Sequence, residues 1–147
     1  MKVVFYLGLS AGLAAAVSVK AHEIKHKGLT IVHPWTAQTI AAPPNDVAVY
    51  MKIRNLSKTA DRLLGASTPQ AKAVQLHTSN NLTSLAVVSI PIPPGSELRP
   101  RFLLLGFAGS LDPYDSFPMT LVFEKAGRME IAVTVEDVEQ QPAESPR

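Results

Sequence analysis

Apolar side chains recur at every second position over the longest readable stretches of this chain, and that period of two commits it to β structure. Val47, Val49, Met51 and Ile53 alternate with Ala48, Tyr50, Lys52 and Arg54, which leaves one apolar face. Met119, Leu121 and Phe123 alternate with Thr120, Val122 and Glu124, and Met129, Ile131, Val133 and Val135 resume the pattern beyond Lys125-Ala126-Gly127-Arg128. Two alternating runs around a short polar connection predict a hairpin.

Shorter strands are expected at Leu29 to Val32, Leu63 to Ala66, Ala73 to His77, Leu85 to Ile90, Glu97 to Arg99 and Phe102 to Leu105. Asn55-Leu56-Ser57-Lys58 reads as a turn. Pro43-Pro44-Asn45-Asp46, Pro91 to Gly95 and Asp112-Pro113-Tyr114-Asp115 interrupt the chain between strands, as proline and glycine do. After Ala21 no stretch places apolar residues at helical spacing. Many short strands with such turns predict an all-β sandwich or small barrel of antiparallel strands.

The first 21 residues read as an export signal. Lys2 supplies the positive start, Val3 to Val19 is almost wholly apolar, and Val19-Lys20-Ala21 ends in small residues where a signal peptidase cuts. Cleavage after Ala21 gives a chain beginning His22-Glu23-Ile24; the other reading is an uncleaved anchor, for which the apolar run is short. The net charge of +2 comes from Lys2 and Lys20, because all 12 acidic residues follow Ala21. The 14 basic residues less those two leave 12 against 12. No basic run or aromatic-basic interleaving suggests nucleic acid. Residues 22–135 make one domain with enough length for a hydrophobic core. Residues 136–147, with Glu136, Asp137, Glu139 and Glu144 among prolines and glutamines, read as a disordered acidic tail. Cysteine is absent, which excludes thiolate metal sites, cysteine catalysis and disulfides, and fits a bacterial periplasm. No membrane span is expected once the signal is removed.

Several blocks, in order, resemble the periplasmic copper chaperone family PCuAC. They are His33-Pro34-Trp35, Val49-Tyr50-Met51-Lys52-Ile53-Arg54-Asn55, Ala60-Asp61-Arg62-Leu63-Leu64-Gly65-Ala66-Ser67, Val74-Gln75-Leu76-His77, Ile90-Pro91-Ile92-Pro93-Pro94-Gly95, Glu97-Leu98-Arg99-Pro100 and Pro118 through Gly127. Together they cover nearly all of Ala21 to Val135. The resemblance implies a cupredoxin-like β-fold, copper as the bound metal, and delivery to a copper-acceptor protein of the envelope, with cytochrome oxidase assembly as the associated process. It also implies a Cu(I) site built from a histidine after an apolar strand, a methionine on the next strand and a later His-x-Met pair. Thioether sulfur and imidazole are ligands suited to that ion.

Carried onto this chain, the first histidine is His77. The following methionine falls at Ser84 or Leu85, and the His-x-Met pair falls on Arg101-Phe102-Leu103. Arg101 thus puts a permanent cation where the resemblance implies a ligand. Met51 and Met129 sit on the alternating apolar faces and read as core filling. A processed amino terminus offers another site: His22 would join a terminal amine to an imidazole, with His26 four residues on and His33 able to approach if the first strand folds back. Nitrogen-rich ligands suit Cu(II), Ni(II) or Zn(II); solvated histidines on a frayed end are the plainer reading. The candidate metal ligands are therefore His77, His22 and His26, with Cu(I) and Cu(II) both open.

No G-x-S-x-G elbow, H-E-x-x-H motif or phosphate-cradling glycine loop occurs, and no enzyme activity is expected. The expected function is periplasmic copper binding and delivery with a degenerate or relocated site. The alternative is a metal-independent interaction or assembly module on the same scaffold, using Phe102 to Phe107 or the acidic tail. Phe102 to Phe107 itself reads first as a buried strand.

Overall fold

The computed structural model describes residues 23–37, 46–81 and 83–137 of the 147. Among them are eleven strands and no helix: β1 Glu23–His26, β2 Leu29–Ala37, β3 Val47–Asn55, β4 Asp61–Ser67, β5 Ala73–His77, β6 Ala86–Val87, β7 Ile90–Ile92, β8 Glu97–Leu98, β9 Arg101–Leu105, β10 Ser116–Phe123 and β11 Gly127–Glu136. They form one sheet in the order β6-β5-β9-β3-β2-β11-β10-β4-β7, with β1 added to β2 and β8 to β3. β4 also packs against β5, so the sheet curls into a nearly closed barrel. The fold is all-β and cupredoxin-like, as the alternation predicts. One pairing departs from the antiparallel expectation: β11 runs parallel to β2, a contact between chain ends that no local pattern encodes.

The alternation fixes what lies inside. Successive strand side chains point to opposite faces, and Val47, Val49, Met51, Ile53 and Asn55 of β3 are all buried with half-buried residues between them. Phe102 and Leu104 face Val49 and Val47 from β9, and Leu76 meets Phe102 from β5. Met119, Leu121, Phe123, Met129, Ile131 and Val133 complete the interior from the predicted hairpin. Each such side chain contributes about 1.5–3 kcal/mol by leaving water. Met51, Met119 and Met129 are all core residues, as expected for Met51 and Met129. The run Phe102 to Phe107 is core as well, since Phe102, Leu104 and Phe107 are buried, which removes it as an exposed docking patch.

Turn chemistry sets the register at one end of the barrel. Lys27 and Gly28 both have positive φ, 46° and 82°, the signature of a two-residue hairpin loop whose twist matches its strands. A Cβ at Gly28 would come within 2.8 Å of the Ser57 Cβ, so packing as well as φ demands glycine there. Asn55 is buried and fully engaged. Its Nδ2 donates to the carbonyls of Thr59 (2.8 Å) and Ile92 (3.2 Å), while its Oδ1 accepts from the Ser57 N–H (3.0 Å) and hydroxyl (2.7 Å). Asp61 accepts from the backbone N–H groups of Lys125 (2.9 Å) and Ala126 (3.0 Å), tying β4 to the loop between β10 and β11.

Several local expectations change. β1 was not among the predicted strands: Glu23-Ile24-Lys25-His26 carries one apolar side chain, too little for a periodic signal. The expected strand Leu85 to Ile90 divides into β6 and β7. Pro91, expected to break the chain, lies inside β7, which proline tolerates because β7 ends the sheet order and needs no outward N–H. Glu136 belongs to β11, one residue past the expected end of the domain. The rest of the tail from Val138 and the leader through His22 lie outside the described residues.

Candidate functional site

A row of paired residues crosses the face of the sheet that looks away from the core. His77 of β5 stands opposite Arg101 of β9, Arg101 opposite Tyr50 of β3, and Tyr50 opposite Trp35 of β2. Directly opposed residues place their side chains on the same face. Trp35 reaches this row only because of a bulge. The β2–β3 register shifts between Val32 and Trp35, around Pro34, which cannot donate to the ladder, and His33, whose φ is +50°. Without the extra residue Trp35 would share the side of Leu29 and Ile31 and point inward. Instead its ring lies 5.1 Å from that of Tyr50.

At the far end of the row both His77 and Arg101 are only 6% exposed. His77 Nδ1 lies 2.8 Å from the Ser84 carbonyl oxygen. A carbonyl can only accept, so Nδ1 carries the proton and donates. An Arg101 Nη2 lies 3.3 Å from the same nitrogen; guanidinium is also a donor, so this is a contact of two donors rather than a hydrogen bond. In the neutral imidazole Nε2 then holds the lone pair, and it is buried without a partner among the described residues. The Arg101 Nε is likewise buried and unpartnered. Unsatisfied polar atoms inside a protein are uncommon, and here two occur on adjacent side chains.

This end of the sheet gathers all the positions at which the resemblance implies ligands. Ser84, rather than Leu85, touches the imidazole; Leu85 is 83% exposed. Leu103, two residues along β9 from Arg101 and thus on its face, stands opposite Gln75. His77, Ser84, Arg101 and Leu103 therefore retain a shared location while offering one metal-binding nitrogen. The imidazole fits a metal ion as a single ligand, its ring oriented by the Ser84 carbonyl in the way that ligand histidines usually are. The guanidinium does not fit a cation. No group of three or more His, Cys, Asp or Glu side chains gathers anywhere among the described residues.

The other expected ligands lie elsewhere. His26 pairs with Leu29 across the β1–β2 hairpin, and Leu29 pairs with Asn55. That places His26 at the Asn55 end of β3, five residues or about 17 Å along the strand from the Tyr50 row. Its Nε2 donates to the Ala126 carbonyl at 3.1 Å. The fold does not bring His26 and His77 together. His33, at the bulge, pairs through Nε2 with Glu136 Oε1. The amino-terminal strand does fold back as the approach of His33 requires, with Glu23 opposite Val32, but His22 lies outside the described residues. Three residues of extended strand, about 10 Å, separate Glu23 from His26.

Comparison with known proteins agrees with this geometry. The family model for LpqE-like lipoproteins matches residues 29–135. The chain belongs to the LpqE-like family. Among solved structures, the copper-bound PCuAC domain from PmoF2 is 28% identical, with a TM-score of 0.67 over 79% of this chain and 98% of that one. The apo form of that domain gives 28% identity and 0.71 over 83% and 100%. The apo PCuAC domain from PmoF1 gives 26% and 0.70 over 79% and 99%. No curated relative matches. This LpqE-like chain thus carries a PCuAC-type domain, as its sequence blocks suggest. Arg101 as a buried neighbour of His77, rather than a surface substitution, is what sequence reasoning missed; the only signal was its place in the His-x-Met position.

Proposed function

We propose that this LpqE-like protein is exported and handles copper outside the cytoplasm through a reduced PCuAC-type site centred on His77. The supporting observation is the His77 ring itself: buried, fixed by Nδ1–H donation to the Ser84 carbonyl, and left with one nitrogen that has no partner among the described residues. A lone imidazole makes one bond to a metal, and selective sites use three or four ligands. Copper as cargo would then be held weakly and shared with ligands from an acceptor protein of the envelope, cytochrome oxidase assembly being the process that the PCuAC likeness suggests. Residues 22–135 would be the working domain after removal of residues 1–21, with 136–147 as a tail. Catalysis forms no part of this role. None of the 147 residues is cysteine, so none can carry a thioether-linked lipid.

The reading is tested by titrating protein that begins at His22 with Cu(I) and Cu(II) against a competing chelator. Weak Cu(I) binding that disappears in His77→Ala supports it. Cu(II) binding that responds to His22→Ala or His26→Ala, but not to His77→Ala, moves the site to the amino terminus. The second reading, a metal-independent interaction module, is favoured by Arg101, whose cation stands where the resemblance implies a ligand. Absence of binding of either ion would select it.

A further inference from the structure

We infer that Arg101 sets the copper affinity of the His77 site, acting as a built-in cation that keeps binding weak and release easy. The inference rests on the His77 reading above and adds the residue that tunes it. Three observations carry it. Arg101 is the direct cross-strand partner of His77, so the ladder holds it there rather than chance packing. Both side chains are almost wholly buried, so water screens the guanidinium poorly. No acidic side chain forms an ion pair with Arg101 among the described residues, and its Nε has no partner, so nothing shown there neutralises the charge.

The chemistry follows from those facts. Arginine does not lose its proton in a protein. An ion on the His77 imidazole therefore meets a full positive charge on the neighbouring side chain at any working pH. Like charges repel more strongly where water screens them poorly, so the guanidinium lowers the affinity of the imidazole for a cation. Arg101 is a tuning residue rather than a ligand. It lowers the affinity of the one nitrogen that can bind, and thereby favours transfer to any acceptor with a complete ligand set.

The test compares Cu(I) affinity in wild type, Arg101→Gln, Arg101→Met and Arg101→Gln/His77→Ala, using chelator competition on the full processed chain, with circular dichroism to confirm folding. Arg101→Gln keeps a polar, uncharged side chain of similar reach, while Arg101→Met keeps the volume if Gln packs badly. At least tenfold tighter binding in Arg101→Gln, lost in the double variant, is the expected result. Arg101→Met also adds a thioether, a ligand suited to Cu(I), so the Gln variant carries the charge argument. If wild type and Arg101→Gln bind equally, and both through His77, the inference on Arg101 is overturned while the His77 reading stands. If neither wild type nor any folded Arg101 variant binds Cu(I), the His77 reading falls and takes this inference with it.

Discussion

Asn55 and the His77–Arg101 pair are both polar groups buried in the same barrel, and they are built in opposite ways. Asn55 uses both ends of its amide, donating to two carbonyls and accepting from Ser57 twice. His77 and Arg101 leave Nε2 and Nε without partners among the described residues. A satisfied buried network fixes structure, whereas an unsatisfied one costs stability unless something else requires it. The Asn55 end, with Asp61 clamping the β10–β11 loop, is the architectural end. The His77 end is where the fold tolerates unpaired polar atoms, as the proposed copper role requires.

Breaking the Asn55 end should have the largest effect. Asn55→Ala strands the Ser57 N–H and takes a donor from the Thr59 and Ile92 carbonyls, and a loss of about 3 kcal/mol is expected from the desolvation of such groups. Urea unfolding measures it; a loss below about 1 kcal/mol would erase the contrast between the two ends. Asp61→Ala removes three charge-assisted bonds, from the backbone N–H groups of Arg62, Lys125 and Ala126, at a partly exposed turn, for an expected loss of about 2 kcal/mol. Its unfolding midpoint in urea should fall without a change in slope.

The His77 end should respond with the opposite sign. Arg101→Met replaces a buried cation that has no acidic partner among the described residues by an apolar side chain. Stability should hold or rise by about 1 kcal/mol, because removing a buried charge often helps. A drop of 2 kcal/mol or more on thermal melting would mean that Arg101 is a structural residue like Asn55.

The smallest effect belongs to a surface pair. Arg54 Nε donates to Glu97 Oε1 at 2.8 Å between β3 and β8, and this hydrogen bond, aided by the nearby positive charges of Lys52, Arg54 and Arg99, holds the Glu97 carboxyl below the ordinary glutamate value. A lowered folded value stabilises above the unfolded value, and that gain is lost as pH falls through the folded one. Wild type should therefore lose a small increment of melting temperature below about pH 4.3 that Glu97→Gln does not lose. Parallel melting curves for the two proteins on the acid side would contradict the pairing.

The two ends also differ in how far the sequence reveals them. The alternation of β3, β10 and β11 and the interior face of each strand were readable, because a side-chain period of two is local. β5 is found where expected, Ala73–His77. β1 was hidden, since a four-residue strand with one apolar side chain is held by the Lys27-Gly28 turn and by pairing rather than by its own pattern. Trp35 shares the local parity of Ile31, yet the bulge at His33-Pro34 turns it outward. His77 and the cation at Arg101 were legible as residues, but not their burial or their unpartnered nitrogens.

Sequence by itself determined the β class, the core methionines, the absence of thiol chemistry and the ordered blocks that resemble PCuAC. These follow from residue type and nearest spacing. The tertiary structure decided the parallel β2–β11 closure, the separation of His26 from His77, the choice of Ser84 over Leu85 and the facing of His77 by Arg101. All but the Ser84 contact, which spans seven residues, depend on pairing between segments distant in the chain, and the energies of a metal site depend on what meets across those pairings.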